Sequence, residues 1–449
     1  MAKILHFILS IITLTTISCS SFNIGVDEVN IETYTLQITL SYNTNTSFNL
    51  AGSIITLADN MGASYSAATD INGTATFRIP QGIYSASTNL HTANGIILNG
   101  LTPHIIVTQN TSASITLEQT KPSSIIIKEL YCGGCQTDDG SGSTFNDKYT
   151  ILYNNSALPI TIQRLCLAMV MPYNATGTNP NYINGQLCYA SQGFVPAAMG
   201  IWYAQDTLQF EPYGQKTISI YGAINHTIIY SNSVNLANKG YYVLYDETCE
   251  RYAGESQYYP APYEGIPTSN YFRTIVYAPG TCWIMSSLSP AFFIFDIGNI
   301  NPIDFANDKA NHYFDGNTNG TWGLFGSCLR IPYKYIIDGV EVFSSRYDGN
   351  QKRLPQAIDA GYVWHTNQYG YSIYRNVDQQ ATESLPENNG KIVYGYSLGT
   401  ENIERGSTDP SNIDAEASIK AGAHIVYLDT KNSSLDFHQR SKASIKQTK

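Results

Sequence analysis

Apolar side chains recur at every second position in a series of short runs: Tyr34–Tyr42, Gly52–Ala58, Thr74–Ile79, Tyr84–Leu90, Ile96–Leu98, Ile105–Val107 and Ala113–Leu117. A period of two places one face of a strand against a core and the other in water. Asn72-Gly73 and Asn99-Gly100 lie between runs, and such pairs favour tight hairpins because both residues tolerate positive φ. Strands at this spacing predict a β-sandwich over residues 31–120. From Ser123 to Met169 three further apolar runs, separated by polar turns, open a second β-domain; His424–Phe437 reads as the partner that closes it. That makes residues 121–437 one split domain, with an insertion at about 173–353 and a basic tail at 438–449 that is expected to fray.

Composition sharpens the fold class. Asp, Glu, Lys and Arg make up 13% of the 449 residues, while Tyr alone contributes 34. Low charge with abundant Tyr, Thr, Ile, Asn and Gly favours strands and tight turns over helices. The net charge of −10 speaks against nucleic acid or an anionic bilayer as partner, because both reward basic surface.

The amino terminus carries an address. Lys3, the apolar run Ile4–Ile12 and the small and hydroxyl residues up to Ser18 have the layout of an export signal over residues 1–18. Thr16-Ile17-Ser18-Cys19 further resembles a bacterial lipobox, with Cys19 as the acylated residue and Thr16 where Leu is usual. A lipid on Cys19 would hold the chain to a membrane through a short tether, residues 19–30. No other stretch reaches the roughly 18 uninterrupted apolar residues of a membrane helix.

Candidate chemistry is sparse. Residues 203–277 hold 13 tyrosines, among them Tyr241, Tyr242, Tyr258, Tyr259 and Tyr263, flanked by Trp202 and Trp283. Rigid amphipathic rings suit a surface for sugars, peptides or aromatic ligands, and equally suit a strand-rich core. Cys132 and Cys135 are the closest cysteine pair and read, in an exported chain, as a local disulfide or as members of two separate pairings. Gly395-Tyr396-Ser397-Leu398-Gly399 matches a nucleophile elbow, yet Gly, Pro and Ser fill the following segment where the helix should start. Asp315, Asn317 and Asn319 copy half a calcium loop, but Gly326 stands where the bidentate Glu belongs. No histidine pair has zinc-enzyme spacing, so neither metal nor cofactor is expected.

Two resemblances complete the reading. Asn72-Gly73-Thr74 with Phe77-Arg78-Ile79-Pro80-Gln81-Gly82-Ile83-Tyr84 resembles the carboxypeptidase-regulatory or prealbumin-like domain, whose members are usually spacers or docking modules. Residues 147–156, 221–227, 234–246, 331–343, 352–361, 371–375 and 428–437 resemble, in order, an uncharacterised family of Bacteroidota outer-membrane lipoproteins with a split lamin-tail-like immunoglobulin sandwich. Asn376 and Lys431 depart from that pattern. The resemblance implies an outer-membrane lipoprotein, facing the periplasm or the cell surface, and brings no established catalytic residues to transfer; no enzyme activity is expected. It would bind a small-molecule, glycan or peptide ligand, or serve as accessory subunit, beside a TonB-dependent transporter. A structural or adhesive surface protein is the alternative, and a serine hydrolase through Ser397 the third. Cys19→Ala should release the protein from the membrane fraction; persistence there after carbonate washing would sink the anchor.

Overall fold

The computed structural model describes residues 32–42, 48–59, 63–91, 96–120, 122–183, 186–249, 259–277, 283–314, 326–395 and 408–446. Among the described residues the protein is mainly β, with 42% in strands and 11% in helices.

The first domain is a seven-stranded sheet built from β1 (Thr33–Tyr42), β2 (Ile54–Asp59), β3 (Ser64–Ala68), β4 (Thr74–Pro80), β5 (Gly82–His91), β6 (Ile97–Val107) and β7 (Thr111–Thr120). Their order is β3-β2-β5-β6-β7-β1-β4, and only β1 and β7 run parallel. Alternate side chains gather into one core that includes Leu36, Ile38, Ile55, Leu57, Phe77, Ile79, Ile105 and Ile115. The Asn72-Gly73 turn is present, with Gly73 at φ +74°. Asn99-Gly100, however, makes no turn. Both residues lie inside β6, and a Cβ on Gly100 would come within 2.1 Å of Ile115 Cγ2, so glycine here serves close packing.

The second domain uses β8 (Ile125–Tyr131), β9 (Tyr149–Asn154), β10 (Leu165–Met169), β11 (Gly200–Ala204), β12 (Gln215–Ser219), β13 (Tyr242–Val243), β14 (Phe272–Val276), β15 (Ala291–Asp296), β16 (Ile336–Ser344), β17 (Val363–His365), β18 (Ser372–Arg375) and β19 (Phe437–Arg440). One sheet has the order β13-β12-β9-β8-β18-β19, the other β14-β11-β10-β15-β16-β17. Ile127, Leu152 and Ile218 of the first share a core with Leu167, Trp202, Ile294 and Val340 of the second. The stretch 173–353 is therefore no excursion. It supplies β11 to β16, half of the strands just named, because the sandwich cannot bury its inner faces without them.

Both sheets are covered on their outer faces as well. β8 is buried along its whole length, and its register with β9 shifts between Ile151 and Leu152. That bulge changes the phase of alternation: Ile125 and Ile127 face the inner core before it, Leu130 after it, while Ile126 packs outward with Tyr153, Tyr374 and Tyr427. In β15, Phe292 and Ile294 face inward, and Phe293 and Phe295 join a second core with Val195, Leu329 and Ile331. The end expected to fray is instead folded through Lys446. Arg440 is buried in β19, Ala443 packs with Tyr131 and Tyr149, and Ser444 N–H donates to Glu129 Oε1 at 3.0 Å.

The two domains are clamped by backbone acceptors and amide side chains. Asn89 Nδ2 donates to Thr430 O at 3.2 Å, and Asn99 Nδ2 donates to the same carbonyl. Gln356 Nε2 donates to Asn99 O and Thr116 O, each at 2.7 Å. Losing such bonds costs about 1 kcal/mol each. The double substitution Gln356→Ala, Asn99→Ala should lower the melting temperature and speed proteolytic cleavage between the domains; unchanged cleavage would show that the clamp does not hold them together.

Candidate functional site

Among the described residues, the rings of the tyrosine-rich segment divide between core and surface. Trp202 and Trp283 are wholly buried and Tyr259 nearly so, within the core between the two sheets. Tyr259 lies 5.5 Å from Trp202 and 5.6 Å from Tyr221, ring centre to ring centre, and both tyrosine hydroxyls donate to Trp283 O. These rings fill a sandwich and reach no ligand, which corrects the expectation for Trp202, Tyr259 and Trp283. Tyr242 is half-buried against this same core and Tyr241 against the cluster of Tyr131 and Tyr149, Tyr263 is exposed, and Tyr258 lies outside the described residues.

The remaining sequence candidates divide the same way. Cys132 and Cys135 are unbonded thiols, both buried, and burial pushes each up to about 12. The expected disulfide is absent there, and so is the thiolate that reactive cysteine chemistry needs. Cys19, Asp315, Asn317, Asn319 and Ser397 lie outside the described residues. Among the described residues, no cluster of His, Cys, Asp and Glu is placed to hold a metal ion, and no helix is long and apolar enough to cross a membrane. His226 is buried with Nε2 2.7 Å from Gly222 O, and His365 is buried with Nε2 against Gly133.

The charged residues of the sequence stretches 331–343, 352–361, 371–375 and 428–437 converge on one buried junction. Arg375 pairs with Asp338 and lies 3.3 Å from Asp436 Oδ2 and 3.6 Å from Asp429 Oδ1. Lys431 bridges Asp338 at 3.3 Å and Asp429 at 3.2 Å. Beside them Arg353 holds Glu341 through Nε and Nη2 at 2.9 and 2.8 Å, while Glu341 Oε2 accepts the backbone N–H of Arg353 and Leu354. Asp359 accepts from Ser433 N and Oγ at 2.7 and 2.6 Å. Arg375 and Lys431 hold Asp338 below the usual carboxylate range against its burial, whereas burial raises Asp436. Ions so deeply desolvated persist only when each is paired and hydrogen-bonded, so this network is structural.

Among the described residues, a cleft combines aromatic rings with charged side chains. It lies between the domains, lined by Asp59, Tyr84, Ser85 and His104 of the first and by Tyr182, Phe343, Asp348, Asn350, Lys352, Tyr362 and Trp364 of the second. Tyr362 stacks on Phe343 at 4.1 Å and 14°, and Trp364 meets Tyr362 edge-on at 5.3 Å. The cavity is about 110 Å³, against the ~150 Å³ hollow that admits benzene in other proteins. Neither ring entered the sequence reading. The signal was Tyr362-Val363-Trp364, two aromatics at i and i+2, which a strand presents on one face.

Residues 211–396 match the model of a family described as "Protein of unknown function (DUF4876)". No curated protein matches the chain. Among solved structures, a DUF4876 family protein from Bacteroides thetaiotaomicron is similar at 19% identity over 90% of this chain and 94% of that one, with a TM-score of 0.49. A DUF3823 family protein from Parabacteroides merdae shows 12% identity over 41% and 78% of the two chains (TM-score 0.15), and the major pilin subunit of Bacillus cereus 10% over 69% and 95% (TM-score 0.17). The matched segment contains both arginines of the buried junction and the three rings of the cleft wall, Phe343, Tyr362 and Trp364.

Burial also sets a pH dependence. It drives His438 down to about 3, helped by Arg440, and His365 down to about 4. Unfolded histidine titrates near ~6.5, so below that pH the unfolded chain binds more protons than the folded one. These contributions are complete above pH ~6.5 and fade on acidification, by up to about 1.4 kcal/mol per pH unit for each histidine. Asp436, raised, acts in the opposite sense, so the readout is a difference: the melting temperature of His438→Gln should fall less between pH 6.5 and 4.5 than that of the parent. Parallel curves would show that His438 is not held neutral.

Proposed function

We propose that the protein is a non-catalytic ligand-binding lipoprotein, held at the outer membrane through Cys19, whose ligand enters the cleft between the two domains. The observation that carries this reading is the aromatic wall of Phe343, Tyr362 and Trp364 standing opposite strands of the first domain. Concave, ring-lined sites with a few polar groups are where small ligands bind, and they form preferentially between domains. The clamp at Thr430 and Gln356 supports it, because a cleft whose walls are fixed relative to one another loses little freedom on binding.

In this reading the protein works as an accessory subunit that presents its ligand to a TonB-dependent transporter. The first domain acts as the spacer that sets the cleft's height above the bilayer. Mild-detergent purification of the tagged, full-length protein from outer membranes should recover a transporter barrel in near-equal amount. Recovery of the lipidated protein alone would remove the transporter and favour an adhesive role. In a thermal-shift screen of small molecules, compounds that raise the melting temperature of the parent should leave Trp364→Ala unchanged; hits that stabilise both alike would place binding elsewhere.

A further inference from the structure

Counted over its ionisable groups, the buried junction is one positive charge short among the described residues. Asp338, Glu341, Asp359, Asp429 and Asp436 stand against Lys352, Arg353, Arg375 and Lys431, and all are buried. Arg353 and Lys352 answer two of the acids: Glu341 lies 2.8 Å from Arg353 Nη2 and 4.0 Å from Lys352 Nζ, and Lys352 also pulls Asp359 down against its burial. Asp338, Asp429 and Asp436 share Arg375 and Lys431, which leaves one negative charge in excess. Arg440, also buried, faces Glu129, Asp414 and Glu416 instead.

A desolvated excess charge is relieved by taking up a proton, and the geometry says where. Asp359 has no room for one: Oδ1 accepts Ser433 N and Gly361 N at 2.7 and 3.0 Å, and Oδ2 accepts Ser433 Oγ and Glu341 N at 2.6 and 2.8 Å. Asp338 pairs directly with Arg375 and accepts Ile127 N at 2.8 Å, while Asp429 has Lys431 at 3.2 Å and accepts Ser123 N. Asp436 Oδ2 is held more loosely, by Thr430 N at 3.0 Å, Arg375 Nη1 at 3.3 Å and Asn432 N at 3.4 Å. Burial, with the Asp429 carboxylate alongside, pushes this carboxyl up to about 7 against the pull of Arg375. His438, two residues on, is kept neutral by burial, its Nδ1 2.7 Å from Asn376 Oδ1. We infer that the junction holds one proton on Asp436, and that its release to water loosens the segment 429–436 and with it the docking of the first domain. Asp338 and Arg375 are fixed in β16 and β18, whereas Asp429, Lys431 and Asp436 lie on a connecting segment with the single helical turn Ser433–Asp436, the part free to move and wet the charge. Asp436 Oδ1 accepts Thr430 N and Oγ1 at 2.9 and 2.7 Å, and Thr430 O accepts Asn89 and Asn99 of the first domain. One residue thus holds both the proton and the acceptor on which that domain docks, whatever the cleft binds.

Hydrogen exchange of the full chain, read by mass spectrometry and corrected for intrinsic exchange rates, tests this. In water the Asp carboxyl titrates near ~3.9, so opening the junction releases a proton: its contribution is complete below pH ~4 and is lost as pH rises to about 7. Protection of residues 428–436 should fall at least about tenfold between pH ~5 and ~7, the ceiling being about tenfold per unit. Proteolytic cleavage between the domains, normalised to an unstructured substrate, should quicken over the same range. Asp436→Asn, which keeps the shape and an acceptor oxygen, should retain acid-level protection throughout. Asp429→Asn removes the excess charge from the other side and should flatten the profile too, so a folding failure in either variant leaves the other to decide. Constant protection in the parent, or a slope that survives in both variants, overturns the proton on Asp436. A segment that loosens while cleavage stays constant overturns the link to docking.

Discussion

Arg375 has no route to water, and that constraint organises the second domain. A guanidinium buried this deeply demands counter-charge, and Asp338, Asp429 and Asp436 supply it from two segments far apart in the chain. Lys431 in turn balances the excess of carboxylates. Each member is tolerable only because the others are present, so the strand that carries Asp338, the strand that carries Arg375 and the loop 429–436 must arrive together. Gly361 fits the same logic, since a Cβ there would collide with Asn432 and Ser434. The loop fixed by these ions then offers the carbonyl of Thr430 to Asn89 and Asn99, so the electrostatics of one domain decide where the other docks.

How much of this was legible in the sequence depends on the range of the interaction. The first domain's strands follow from local alternation, and most were readable. The exceptions are Ser64–Ala68, which has no apolar period, and Asn99-Gly100, where the dipeptide signals a turn but the packing of Ile115 requires a bare backbone. In the second domain the runs IIIKELY and AFFIFD announce burial on both faces, yet nothing local says which sheet each joins. That is why residues 173–353 read as an insertion although they supply β11 to β16.

The functional surface was the least legible part. Tyrosine abundance is a signal about composition, and composition does not separate a ring that packs inward with its hydroxyl on a carbonyl from one that faces a ligand. Tyr259 and Tyr221 are of the first kind, both donating to Trp283 O. The cleft, by contrast, draws on residues between Asp59 and Trp364, and it exists only once two domains have docked. The strand pattern Tyr362-Val363-Trp364 marks one wall, and no feature of β2 or β5 marks the other. The charged residues at 338, 353, 375 and 429–436 were visible as parts of a resemblance, while their role as a mutual charge balance required their convergence in space.

β19 and the residues after it complete a sheet whose central strand, β8, is made near the start of the domain. A chain emerging from its amino terminus can close the first domain early, because every partner strand is already present by residue 120. The second domain has no such option. β8 cannot gain β18, nor β18 gain β19, until almost the whole polypeptide has been delivered, and pairings of such high contact order form slowly. Until then the edge of β8 that β18 will cover is open to any other strand, so the second domain carries an unpaired strand edge through most of its synthesis while the first domain is already closed.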